Sequence, residues 1–280
     1  MATTSSIVWQ GCKPVFADIL SSDFTINPDK IREKITPQTS AILATHVFGF
    51  PCRIEAIEHI AKEFDLKVIY DAAHAFGVEY KGKSVLNFGD ISVLSFHATK
   101  LFHTIEGGGI TTNCDEFARK ISYMRNFGHN GQEDFFGIGI NGKSSELHAA
   151  MGLCIFPAID KIIEKRKTIS EFYNNRLNNF PIITRPIFGV NVTRHNFSYY
   201  PILFNSEDAL LSIKKRLENE GISCRRYFFP SLNTLNYVEN NLENSLSESV
   251  SSRILCLPIY PDLAIADVER ICSLILQENE

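Results

Sequence analysis

Along the first 112 residues, short apolar runs alternate with segments whose apolar residues recur every three to four positions. That pattern predicts strands separated by helices. The runs 14–19, 41–48, 67–72 and 91–96 predict strands. Between the second and third, Ile54, Ile57, Ile60, Ala61 and Phe64 fall on one face of a helix over 53–64. Gly49 and Pro51 punctuate its start and Asp65 falls in the return loop, so the segment reads as a βαβ unit. Gly107, Gly108 and Gly109 then lead into a further strand at 110–112, and 115–124 predicts a helix. The alternation predicts an α/β fold around a mostly parallel sheet.

The second half reads differently. Residues 127–142 are rich in Gly, Asn and Phe without a period, which predicts an ordered surface loop. Residues 145–177 are strongly helical, with a break or kink at Pro157. Beyond them, strands at 199–204 and 222–226 and helices at 207–219 and 267–276 predict a smaller α+β domain. The polar stretch 233–252 predicts a mobile loop. The expected division is a large domain over 1–153 and a linking helix with a small C-terminal domain over 154–280. The chain opens without start-of-domain punctuation, as if inside a helix that feeds the strand at 14–19.

Composition narrows the class. A formal charge of -4 gives no electrostatic footprint for nucleic acid, and no basic run suggests a membrane surface. Neither a signal peptide nor a spanning segment is visible, which predicts a cytoplasmic protein. The seven cysteines are scattered and include no Cys-x-x-Cys pair, which argues for reduced thiols rather than a disulfide framework or a zinc site.

Chemistry gathers in three segments. Asp71 ends an apolar run, and an acid at the end of a buried parallel strand sits where such sheets bind ligands. About one crossover later, Lys100 lies just past a strand and before the glycine turn. A lone Asp there is ordinarily a helix cap and a lone Lys a solvated cation. Both together at one sheet edge are the pair that imine chemistry on pyridoxal phosphate requires: an amine to bond the carbonyl and a carboxylate to face the ring nitrogen. The third segment runs from Gly139 through Asn141 and Lys143 to Glu146, where a Ser/Glu capping box also opens a helix.

These segments resemble one family. Asp71-Ala-Ala-His74, Ser95-Phe-His-Ala-Thr-Lys100 and Glu106-Gly-Gly look like the DegT-type nucleotide-sugar aminotransferases, a branch of the fold-type I pyridoxal-phosphate enzymes. Lys13-Pro-Val-Phe-Ala-Asp18, His46-Val-Phe-Gly-Phe-Pro51 and Tyr199-Tyr-Pro-Ile202 agree with it, so the resemblance covers nearly the whole chain. It implies pyridoxal 5'-phosphate as cofactor, with Lys100 the Schiff-base lysine, Asp71 against the pyridine nitrogen, His74 donating to the ring hydroxyl and Ser95 binding the phosphate. His46 and His97 read as structural histidines. By the same resemblance Asn141 reaches across a homodimer interface to the partner's cofactor phosphate.

The implied reaction is deoxysugar biosynthesis: glutamate gives its amine to a keto-deoxysugar nucleotide, with dTDP-4-keto-6-deoxyglucose the expected acceptor. A sibling acting at C3 and a non-catalytic fragment are the alternatives, while the related sugar dehydratases carry a histidine where Lys100 stands. Relatives also carry a segment ahead of the position of Met1, with backbone donors to the phosphate and an aromatic residue over the ring. The expectation is that the chain without it binds cofactor poorly.

Overall fold

The computed structural model describes residues 1–178, 180, 183–239 and 245–277. Its elements, in order, are α1 (Ala2–Trp9), α2 (Pro28–Arg32), β1 (Ala41–Thr45), α3 (Ile54–Glu63), β2 (Lys67–Asp71), β3 (Glu79–Tyr80), β4 (Lys83–Ser84), β5 (Ile91–Ser95), β6 (Gly108–Thr111) and α4 (Asp115–Met124). They continue with α5 (Glu146–Ile155), α6 (Ile159–Arg176), β7 (Ile183–Thr184), β8 (Val192–Arg194), β9 (Tyr200–Phe204), α7 (Glu207–Asn219), α8 (Leu246–Arg253), β10 (Ile254–Leu257) and α9 (Ile265–Leu276).

The largest sheet has the order β1-β2-β5-β6. β1 and β5 both run parallel to β2, and β6 returns antiparallel. Alternate residues of β2 explain its place: Val68 and Tyr70 are buried, and α3 covers them with Ile54, Ile57, Ile60 and Ala61. Each such fully buried aliphatic side chain contributes about 1.5–3 kcal/mol, so this face alone fixes the register of the sheet. Because β1, β2 and β5 are parallel neighbours, Thr45, Asp71 and Ser95 all arrive at one edge. A second, antiparallel sheet of order β10-β9-β7 packs on α6, α7 and α9 around Ile202, Phe204, Leu210, Leu217, Leu255 and Ile275. A third, small sheet joins β3, β4 and β8.

Four expectations change. The run 14–19 is no strand; it contributes one isolated bridge, Ile19 to Ile26. Pro14 has no N–H to give a ladder, and Val15 is exposed. The strand expected at 222–226 reduces to a bridge between Arg225 and Cys256. The first strand stops at Thr45, and a tight turn over Val47–Gly49 follows. Within the polar stretch 233–252, residues 240–244 lie outside the described residues, but the rest is ordered and includes α8. The reason is capping. The Ser245 hydroxyl accepts the Glu248 N–H, and the distant Asp18 carboxylate accepts the N–H groups of Leu246 at 2.8 Å and Ser247 at 2.9 Å. Pro157 interrupts the helical stretch as expected, with a short tight turn between α5 and α6.

Candidate active site

Asp71 closes β2, and both of its oxygens are engaged. Oδ1 accepts the Ala73 N–H at 3.0 Å and Oδ2 accepts the Thr3 hydroxyl at 2.6 Å. The chain then turns through Ala72 and Ala73 to bring His74 under the same edge.

His74 is buried, and its environment fixes its tautomer. Nδ1 accepts the Phe48 N–H at 3.2 Å, so the proton of the neutral ring rests on Nε2. Burial, helped by the Lys100 amine, lowers its pKa to about 3. The ring is held between Phe228, stacked at 5.1 Å, and the edge of Tyr199 at 4.8 Å. Asn196 ties the Tyr199 segment down, donating to the carbonyls of His74 at 2.8 Å and Phe76 at 2.9 Å. Gly49, at φ +86, must be glycine here, since a Cβ would stand 2.7 Å from Asn196 Oδ1.

Lys100 sits in a loop that leaves β5 and returns as β6. Phe96 N–H donates to the Gly107 carbonyl at 2.8 Å and Thr104 N–H to the Phe96 carbonyl at 2.8 Å, closing the loop at its base. A Cβ at Gly108 would lie 2.9 Å from the Leu94 carbonyl, which gives the glycine turn its physical reason. The Lys100 amine is half-buried, and its Nζ lies 3.5 Å from the Tyr199 hydroxyl. Burial pulls it below the usual lysine range, with the Asp71 carboxylate acting in the opposite direction. Tyr199 is itself raised by burial, so its phenol stays neutral.

His74, Ser95 and Lys100 line one pocket together with Ala73, Thr99 and Tyr199. Asp71 is not among its lining residues, but its carboxylate acts electrostatically on the amine. Asn141 is not part of this group. It is exposed and bridges to Asn126, while Lys143 donates to Asn126 Oδ1 at 3.0 Å and covers the Phe127 ring. His46 is buried against Tyr70 and accepts the Cys52 N–H at 3.0 Å; its Nε2 has no partner among the described residues. His97 is exposed and shapes the turn before Lys100 through Thr99. No local sequence pattern marks Thr3 and Tyr199 as site residues, because their contacts span 68 and 99 residues. Among the described residues no cluster of three or more metal-binding side chains occurs, and no helix is long and apolar enough to cross a membrane.

The fold is that of the sugar aminotransferases. The structure of DesI in the presence of its TDP-sugar product superposes with a TM-score of 0.90 at 30% identity, covering 98% of this chain and 71% of that one. The family profile described as the DegT/DnrJ/EryC1/StrS aminotransferase family matches residues 1–276, and the chain belongs to that family. A dTDP-4-amino-4,6-dideoxy-D-glucose transaminase of Shigella dysenteriae is 42% identical, over 98% of this chain and 76% of that protein. A GDP-perosamine synthase of Vibrio cholerae is 31% identical, over 98% of this chain and 76% of that protein. The chain is therefore a nucleotide-sugar aminotransferase.

Proposed function

We propose that the chain is a pyridoxal-phosphate-dependent transaminase that moves the amine of glutamate to C4 of dTDP-4-keto-6-deoxyglucose. The observation that carries this reading is a half-buried lysine amine that shares one pocket with His74 and Ser95, at the sheet edge where β2 ends in Asp71, whose carboxylate acts on that amine. Identity to the Shigella dysenteriae transaminase favours C4 over C3 and a dTDP sugar over a GDP sugar.

The donor set fits the cofactor. A carboxylate, an Nε2–H donor, a hydroxyl and a desolvated amine match, in that order, a pyridine nitrogen, a ring hydroxyl, a phosphate and a carbonyl carbon. When bound, pyridoxal phosphate supplies an electron-withdrawing ring and an aldehyde that condenses with amines. Asp71 holds the proton at the ring nitrogen. His74 donates from Nε2 to the ring hydroxyl and stays neutral in doing so. Ser95 donates to the phosphate. Lys100 would hold the cofactor through its amine, and that amine would take the proton from the donor's α-carbon and later deliver one to the sugar's C4. The lowering favours the unprotonated amine, which both condensing with the aldehyde and taking the proton require. Tyr199 offers that amine a neutral oxygen, which adds no opposing charge. The same reading divides the chain into a cofactor-binding large domain over 1–153 and a linking helix with a small C-terminal domain over 154–280.

The working unit in this reading is a homodimer. Phe135, Phe136, Ile138, Ile140, Leu147 and Leu153 are exposed on the segment that carries Asn141, an apolar surface suited to a second copy. Asn141 would then serve the partner's phosphate, which accounts for its distance from the Lys100 pocket. Sedimentation should give a dimer, and Asn141→Ala should weaken cofactor binding without changing the chain's own fold.

The activity test uses the protein with excess pyridoxal phosphate, 15N-glutamate and the 4-keto sugar nucleotide. The expected product is a 15N-labelled 4-amino-4,6-dideoxy sugar nucleotide together with 2-oxoglutarate. Turnover of a 3-keto sugar nucleotide in place of the 4-keto one, with label at C3, would assign the enzyme to the sibling reaction. Absence of 2-oxoglutarate at any acceptor would reject the transaminase reading.

A further inference from the structure

The Asp71 carboxylate is fixed from two directions that differ in origin. The Ala73 N–H that meets Oδ1 belongs to the local turn, and any aspartate at this strand end could accept it. The hydroxyl that meets Oδ2 comes from Thr3 in the first turn of α1, at 2.6 Å. In a first turn no preceding helical turn offers the threonine hydroxyl a carbonyl. Here it turns to a side chain on another element. The adjacent Thr4 is buried, so α1 is seated and Thr3 is held in place.

A carboxylate bonded through one oxygen still rotates about its last torsion, which is broad and roughly two-fold. Donors on both oxygens fix its plane. The same carboxylate acts electrostatically on the Lys100 amine. We propose that Thr3 is a positioning residue that sets the Asp71 carboxylate for the pyridine nitrogen of the cofactor. This rests on the role given to Asp71 above. Thr3 touches neither the cofactor nor the substrate; it acts through Asp71.

The test compares two ligands on three proteins. Pyridoxal phosphate and its 1-deaza analogue, which has carbon in place of the ring nitrogen, are titrated against the wild type, Thr3→Val and Thr3→Ser. Thr3→Val keeps the branched shape and removes the donor, whereas Thr3→Ser keeps the donor. Thr3→Val should bind pyridoxal phosphate about tenfold more weakly, as expected for one hydrogen bond to a charged group. Thr3→Ser should stay within about twofold, the donor being retained, and the deaza analogue should bind the wild type and Thr3→Val alike. Thermal unfolding without cofactor should be unchanged in Thr3→Val.

Equal weakening of both ligands in Thr3→Val would show that Thr3 merely holds the fold and would overturn the proposal. So would full retention of the wild-type preference for pyridoxal phosphate. A wild type that does not distinguish the two ligands would reject the Asp71 role itself, and the Thr3 proposal with it.

Discussion

Lys100→Ala is expected to lower the rate of amino transfer by about 10⁴-fold, because it removes both the nucleophile and the proton carrier. The fold should survive the change. Lys100 is half-buried in a loop closed by backbone bonds at its base, and among the described residues its side-chain hydrogen bond is the 3.5 Å approach to Tyr199. Stability should therefore move by no more than about 1 kcal/mol, as for a substitution outside the core. Single-turnover measurements with 15N-glutamate read the chemical step directly. A small added amine should restore part of the rate by carrying the proton in place of Nζ. A variant within about tenfold of the wild type would remove Lys100 from the chemistry, since general acid–base catalysis alone is worth more than that.

The largest effect on stability should come from acid. His46, His74 and His195 are buried, and burial lowers each from 6.5 to about 3. The folded chain keeps them neutral where the unfolded chain takes up protons. Their contribution is intact above pH 6.5, is lost progressively as pH falls, and is gone near pH 3. Each histidine gives a slope of about 1.4 kcal/mol per pH unit inside that window, so the three together approach about 4 kcal/mol per unit. The interval from pH 6.5 to about 5 isolates them, because ordinary carboxylates titrate lower. Urea midpoints at pH 7, 6 and 5 should fall steeply, and His46→Asn should flatten the slope by one proton. Constant midpoints over that range would contradict the buried, neutral state of these rings.

Much of this site is legible in the sequence because its residues are placed by local rules. Asp71 ends a strand whose buried positions alternate, and Lys100 follows its parallel neighbour β5 and precedes glycines that the backbone demands. The parallel sheet, α3 and the break at Pro157 follow from periodicity and proline chemistry alone. What stayed hidden depends on contacts far along the chain. No spacing rule joins Thr3 to Asp71, or Asp18 to the start of α8. β10 is a four-residue run buried at every position, so it lacks the alternation that marks a half-exposed strand, and it follows a polar helix. The run at 14–19 failed for the opposite reason. Its residues are apolar enough for a strand but find no neighbour to complete a ladder.

The role of Lys100 can be read without any sugar substrate. The protein is mixed with excess pyridoxal phosphate, reduced with sodium borohydride so that the cofactor is fixed to the lysine that holds it, then digested and mapped by mass spectrometry. The account predicts one pyridoxyl label, on Lys100, accompanied before reduction by a visible absorbance band that is absent from Lys100→Ala. A label on another lysine, or one that persists unchanged in Lys100→Ala, would contradict it.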